Sequence, residues 1–276
     1  MLEHNLANKI NDIASFLKQH LTETPKNGLI LGSGLGTIID DFETKIVIPY
    51  TDIPHLPTST APGHSGCLVI GKIMGHAFIT MQGRLHLYEG HSPQIATIMV
   101  RVMKKLGVER IFITCASGGL NKNFNVGDIM LITDHINFTG TNPLIGANLD
   151  EFGPRFPPMF DIYTKKLQNL ALSTANEVGI KLQSGVYAAT FGPTYSTRAE
   201  YRFYIDSHCD AIGMSVVQEA IVAAHSGMEI LAFAAITDIA RHDVDHHVTH
   251  EEVTTIGKQI AYNLTKLLEG IIHKLN

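Results

Sequence analysis

Apolar positions change their spacing several times along the chain, and each change marks an element. Leu2, Leu6, Ile10, Ile13 and Leu17 recur at helical spacing, predicting an amphipathic helix over residues 2–20 that packs on the body. Gly28 to Leu31 is a short run suited to a buried strand, and Ile46 to Pro49 is again short and apolar. Pro54, Pro57 and Pro62 keep residues 52–63 irregular. Leu68 to Ile73 and Phe78 to Met81 are strand-like and read as a hairpin turning at Met74-Gly75. Ser92 as N-cap and Pro93 in the first turn open a helix with the stripe Ile95, Ile98, Met99, Val102, Met103 and Leu106, which Gly107 closes.

The second half alternates in the same way. Strands are predicted at Ile111 to Thr114, which runs into Cys115-Ala116-Ser117-Gly118-Gly119, and at Ile129 to Ile132. Residues 138–160 are rich in Pro and Gly without any period, and so long an irregular piece within a compact domain points to function. Asp161 is expected to cap a helix that ends at Val178 before Gly179. Strands Val186 to Ala189, Ala211 to Gly213 and Ile230 to Thr237 follow, with a helix over 215–226. Thr197 with Glu200 and Thr249 with Glu252 form capping boxes, the second opening the closing helix with Val253, Ile256, Ile260, Leu264, Leu267 and Ile271 inward. Strands alternating with capped helices, without repeat or linker, predict one three-layer α/β/α domain over 1–276, with a central, mostly parallel, mixed sheet.

Such sheets bind ligands at the C-terminal ends of their strands. Here the first strand runs into Gly32-Ser33-Gly34-Leu35-Gly36, where glycines let backbone N–H groups approach an anion and Ser33 adds a hydroxyl. The pattern indicates an oxyanion site at a strand end. No Lys-Ser/Thr pair follows, against a Walker loop, and Thr37 stands where a dinucleotide loop needs a third Gly or Ala.

Composition narrows the partners. A net charge of −5 and 17% charged residues leave no basic field for nucleic acid, so an anionic substrate needs local cations and N–H groups. Cys67, Cys115 and Cys209 lie far apart, suggesting neither a disulfide framework nor a zinc ribbon. No run is long and apolar enough to span a membrane, and the charged start is unlike a signal peptide, so a cytoplasmic protein is expected.

A second set of anion ligands follows. In Gln82-Gly83-Arg84-Leu85-His86-Leu87-Tyr88-Glu89-Gly90, Arg84 and His86 alternate along an extended segment and face one way. His64 sits upstream in Pro62-Gly63-His64-Ser65-Gly66. Taken singly, each of these is also an ordinary surface residue.

These motifs, with Ala116 to Asn121, Val126 to Asn137 and Gly213-Met214-Ser215, resemble the trimeric purine nucleoside phosphorylases from about Asn27 to the closing helix. The resemblance implies that fold and the phosphorolysis of a purine nucleoside to free base and pentose 1-phosphate. It implies phosphate held by Ser33, His64, Arg84, His86, the Ala116 N–H and Ser215, and sugar near Tyr88, Met214 and His250. Phe156 matches an aromatic lent to the neighbouring subunit's sugar site, implying a homotrimer. Phosphate would stabilise positive charge on the sugar ring, and a donor at purine N7 the negative charge on the leaving base. Arg84, His86 and Asp238 are the expected catalytic residues; no metal or other cofactor is implied.

The base pocket departs from the family. After Gly192-Pro193, Tyr195 and Ser196 stand where members preferring 6-oxopurines have Phe-Glu, and Asp238 follows Thr237 where they have Asn. Ser196 removes the acceptor for a 6-oxopurine N1–H. Asp238 repels O6 when ionised, suits a 6-amino group, and when protonated can donate to N7. Adenosine is therefore the expected substrate, with inosine or guanosine the alternative. The Ser196–Asp238 pair is also similar to methylthioadenosine phosphorylases, but His250 does not suit a methylthio group. A nucleoside-binding protein without catalysis is a reading from another class. The ligand-dense stretch Arg241 to His250 reads as a solvated loop or a metal site, Ser65 lacks the surroundings of a hydrolase nucleophile, and the glycine loop is a poor nicotinamide site.

Overall fold

The computed structural model describes residues 2–43, 45–60, 65–245 and 249–275. Predicted ligand His64 lies outside them, as do His246 and His247 of the His-rich stretch. In chain order the elements are α1 (Leu2–Lys18), β1 (Asn27–Leu31), β2 (Lys45–Pro49), β3 (Cys67–Ile73), β4 (His76–Gln82), α2 (Pro93–Ala96), α3 (Ile98–Lys105), β5 (Arg110–Gly119) and β6 (Ile129–Asn137). There follow α4 (Lys165–Val178), β7 (Leu182–Ala189), α5 (Arg198–Asp206), β8 (Ala211–Gly213), α6 (Val217–His225), β9 (Glu229–Ile239) and α7 (His250–Ile272).

The described strands form one mixed sheet in the order β2-β3-β4-β1-β5-β8-β7-β6-β9. β1, β4 and β5 run parallel, as do β5 with β9 and β7 with both β6 and β8. The hairpin β3–β4 and the pairs β2–β3, β5–β8 and β6–β9 are antiparallel. Because β5 also pairs β9, the last five strands close into a ring, which removes two sheet edges. The stripes of α1, α3 and α6 pack on one face and those of α4 and α7 on the other, giving the expected three layers. Among the described residues no helix is long and apolar enough to cross a membrane.

Several boundaries differ from the sequence-based expectation. The helix expected over 92–107 breaks at Thr97, whose hydroxyl donates to the Pro93 carbonyl at 2.7 Å while its backbone leaves helical angles. Asp161 does not cap α4: it sits at φ 55°, outside the extended region an N-cap requires, and Thr164 takes that position. Thr164 is tied instead to β9, its Oγ1 accepting from the Ile230 N–H at 2.9 Å. β5 and β6 run several residues beyond their predicted ends because β9 and β7 offer partners there. Both capping boxes form.

Candidate active site

A cavity of about 120 Å³ opens at the C-terminal ends of β1, β5, β7 and β9. Ser33 of the glycine loop lines it. A Cβ on Gly32 would lie 2.6 Å from the Cys115 Cα, so the loop approaches β5 as only glycine allows. The Gly32 N–H donates to Thr114 Oγ1 at 3.2 Å, and that hydroxyl donates to the Ile30 carbonyl, fixing where β1 delivers Ser33. From the other side, Gly257 of α7 presses on the loop: a Cβ there would stand 2.9 Å from the Ser33 carbonyl oxygen.

Ser33, His86, Tyr88, Ala116, Tyr195, Ser196, Met214, Ser215, Thr237, Asp238 and His250 line this cavity together. Arg84 lies behind it, beside His86 and Ser215 in a small adjoining recess. It is 2% exposed; its Nε donates to Glu219 Oε1 at 2.9 Å and an Nη donates to the Thr114 carbonyl at 2.8 Å. Arg84 and His86 thus reach the same region, in the irregular segment after β4 rather than in a strand.

His86 is buried and stacked on Tyr88, ring centres 4.6 Å apart. Its Nδ1 lies 3.3 Å from Glu89 and its Nε2 3.4 Å from the Ser215 hydroxyl. Burial pushes the imidazole pKa down, against the pull of the Glu89 hydrogen bond, so the ring is neutral near pH 7. For Glu89, burial works to raise the pKa, but hydrogen bonds from His86 and Thr60 outweigh it and carry the carboxyl down to about 2. That carboxylate takes the His86 backbone N–H at 2.7 Å and the Thr60 N–H and hydroxyl at 2.5 and 2.8 Å.

Ser215 is aimed by a strained turn. Val216 has φ 69° and ψ −55°, and the Val217 N–H donates back to the Ser215 carbonyl at 2.8 Å, a γ-turn that delays α6 to Val217. The Ser215 N–H donates to the buried Tyr187 hydroxyl at 3.3 Å.

At the opposite end, β5 and β9 slip register, Ser117 facing Ile236 and Gly118 facing Asp238. Thr237 is the extra residue of a bulge, so Thr237 and Asp238 both reach the cavity, where a regular strand would send them to opposite faces. Thr237 Oγ1 lies 3.1 Å from Asp238 Oδ1. Tyr201 of α5 joins them on the cavity wall, together with Ser196. Burial, and then the Asp238 charge, raise both the Tyr195 and Tyr201 phenols, Tyr201 to about 12, so both stay protonated. Gly192 supports this wall by close approach: at φ 70°, a Cβ there would lie 2.3 Å from the Met214 sulfur.

Phe156 does not join the cavity. It is 87% exposed, with the Arg155 guanidinium 5.7 Å from its ring centre. In the Arg241 to His250 stretch, Asp243 pairs with Arg241 and Asp245 with Arg198. Among the described residues no three His, Cys, Asp or Glu side chains gather in a metal-binding group. A larger cavity of about 370 Å³ between α1 and residues 143–149 contains none of the predicted residues.

Sequence reasoning missed Glu219, Glu89 and Tyr201. Glu219 carried a signal, an acid within an otherwise apolar helix; Tyr201 carried none beyond its nearness to the Gly-Pro turn. The assembled site offers a buried cation, a neutral imidazole and hydroxyls at one end, and at the other two phenols and a carboxylate. That suits an oxyanion beside a flat, hydrogen-bonding ring.

The chain matches the profile of the Phosphorylase superfamily over residues 26–273. It is 48% identical over 267 residues to purine nucleoside phosphorylase 1 of Bacillus subtilis, covering 97% of this chain and 98% of that protein. A Schistosoma purine nucleoside phosphorylase in complex with hypoxanthine superposes with TM-score 0.93 at 37% identity, covering 98% of each chain. The Schistosoma mansoni enzyme in complex with adenosine gives TM-score 0.93 at 38% identity, again covering 98% of each. With nearly its whole length matched in sequence and fold, the chain belongs to the phosphorylase superfamily and, within it, to the purine nucleoside phosphorylases.

Proposed function

We propose that this enzyme cleaves the N-glycosidic bond of a purine nucleoside with orthophosphate, and that it prefers a 6-aminopurine, adenosine foremost. The reading is carried by one observation: Asp238 and Ser196 stand together on the cavity wall opposite the Arg84–His86 end. Phosphate binds Ser33, His64, Arg84, His86, the Ala116 N–H and Ser215. What supports this set is the convergence of its described side chains with a buried guanidinium and an imidazole that burial keeps neutral. Tyr88, Met214 and His250 hold the sugar between the two ends.

In the reaction the glycosidic bond breaks as positive charge develops on the ring, and the phosphate beneath it stabilises that charge. Asp238 accepts from the 6-amino group and, when protonated, gives a proton to N7 of the leaving base; Thr237 Oγ1 steadies it. Tyr195 forms the aromatic wall and Ser196 leaves the N1 edge without the acceptor that a 6-oxopurine requires. Phosphate is a co-substrate, and no metal or cofactor takes part. We assign Phe156 to the sugar site of a neighbouring copy in a homotrimer. Phe156 and Phe160, at 87% and 88% exposed, are two rings left in water unless another chain covers them.

The test is release of free base from adenosine, inosine, guanosine and methylthioadenosine, with and without phosphate. Phosphate-dependent release with the highest kcat/KM for adenosine is expected. Release that ignores phosphate, or binding with no cleavage, overturns the reaction. Strong inosine preference overturns the base assignment alone. Sites built to hydrogen-bond one pattern of donors reject the other by about 10⁴-fold, so the ranking is unambiguous.

A further inference from the structure

Tyr201 stands on the cavity wall with Ser196 and Asp238, on the first turns of α5, immediately after the Thr197–Glu200 capping box. That box locks the start of the helix and so fixes the position of the tyrosine. Its hydroxyl carries one proton that it can donate into the cavity it lines. Beside Asp238 the phenol is held in its protonated form, with its pKa raised to about 12 by burial and then by that carboxylate. The wall therefore carries a hydroxyl donor and a carboxylate together, with the short Ser196 side chain on the same wall.

A donor beside an acceptor has a definite complement. The Watson–Crick edge of a 6-aminopurine offers an acceptor at N1 and a donor at the 6-amino group. A 6-oxopurine offers the reverse, a donor at N1 and an acceptor at O6. Resting on the 6-aminopurine reading above, we propose that Tyr201 is a specificity-determining residue whose hydroxyl donates to N1 while Asp238 accepts from the 6-amino group. Discrimination is thus shared between two elements, α5 and β9. A 6-oxopurine leaves both of these groups without a proper partner, so it loses binding twice, once at each position.

The experiment compares kcat/KM for adenosine, 1-deazaadenosine and inosine in the wild-type enzyme and in Tyr201→Phe. Wild type is expected to use adenosine about tenfold better than 1-deazaadenosine, the scale of one neutral hydrogen bond. In Tyr201→Phe that ratio collapses towards the value set by the changed leaving group alone, while inosine cleavage does not fall. The double difference cancels the leaving-group effect. An unchanged adenosine to 1-deazaadenosine ratio in the variant, or an equal loss on all three substrates, overturns the role of Tyr201. A wild type that prefers inosine overturns the base reading instead, and is seen without any variant. Should Tyr201→Phe fail to fold, equal use of adenosine and 1-deazaadenosine by wild type still overturns the proposal.

Discussion

Arg84 and Glu219 are 135 residues apart in the chain and meet in a nearly dry ion pair, the guanidinium Nε 2.9 Å from the carboxylate. A buried charge that loses its partner is costly, more so than the pair is stabilising. Glu219→Ala should therefore lower stability by about 3–5 kcal/mol in a urea melt. Phosphate, bound to the same guanidinium, should raise the melting temperature of the variant by more than that of wild type. Equal shifts would show that Arg84 does not meet the anion.

Thr237 and Asp238 enter the cavity side by side because of the bulge in β9. Asp238→Asn turns the second side chain into one that can donate to O6, and the inosine to adenosine ratio of kcat/KM should rise by at least about tenfold. An unmoved ratio would mean that Asp238 does not meet the base.

His86 gives a pH signature with a defined sign. Burial lowers its folded pKa, so the unfolded chain takes up a proton near pH 6.5 that the native ring refuses. Its contribution is present above that pH and is lost as pH falls below it. Glu89 adds a second limb: its folded pKa of about 2 makes its stabilisation present above the ordinary carboxyl range and lost between about 4.5 and 2. Melting temperature against pH should flatten below 6.5 in His86→Asn and below 4.5 in Glu89→Gln. Curves parallel to wild type would exclude these two groups.

Gly257 sits inside α7, where Gly→Ala ordinarily gains about 1 kcal/mol. Here the added Cβ meets backbone, the Ser33 carbonyl at 2.9 Å and the Gly34 Cα at 3.2 Å. Gly257→Ala is expected to show no such gain and to raise the phosphate KM severalfold by displacing the glycine loop, with less effect on the nucleoside KM. A more stable variant with unchanged phosphate KM would separate α7 from the anion site.

Phe156→Ala should raise the nucleoside KM by about tenfold, the value of one buried aromatic contact, and leave the phosphate KM in place. Light scattering on wild type should give a trimer. A monomer with full activity would remove Phe156 from the site.

Whatever depends on neighbours in the chain is legible in the amino-acid sequence by itself: the glycine loop after β1, the Met74-Gly75 hairpin, both capping boxes and the α/β alternation. These arise from backbone angles and side chains a few residues apart. Ser33, Arg84 and His86 can be singled out as candidate oxyanion ligands for the same reason, and the family resemblance supplies the rest of the expected set. The break at Thr97 rests on a local back-bond, but the apolar stripe runs through it unbroken; the late start of α4 cannot be read, since Thr164 is held by β9, a strand far along the chain. Nor can the Arg84–Glu219 pair, the cavity wall shared by Tyr201 and Asp238, or the register slip that turns Thr237 and Asp238 to one side. Each of these is settled by which elements lie beside one another once the chain has folded, and hydrophobic spacing along one segment carries no record of its partner.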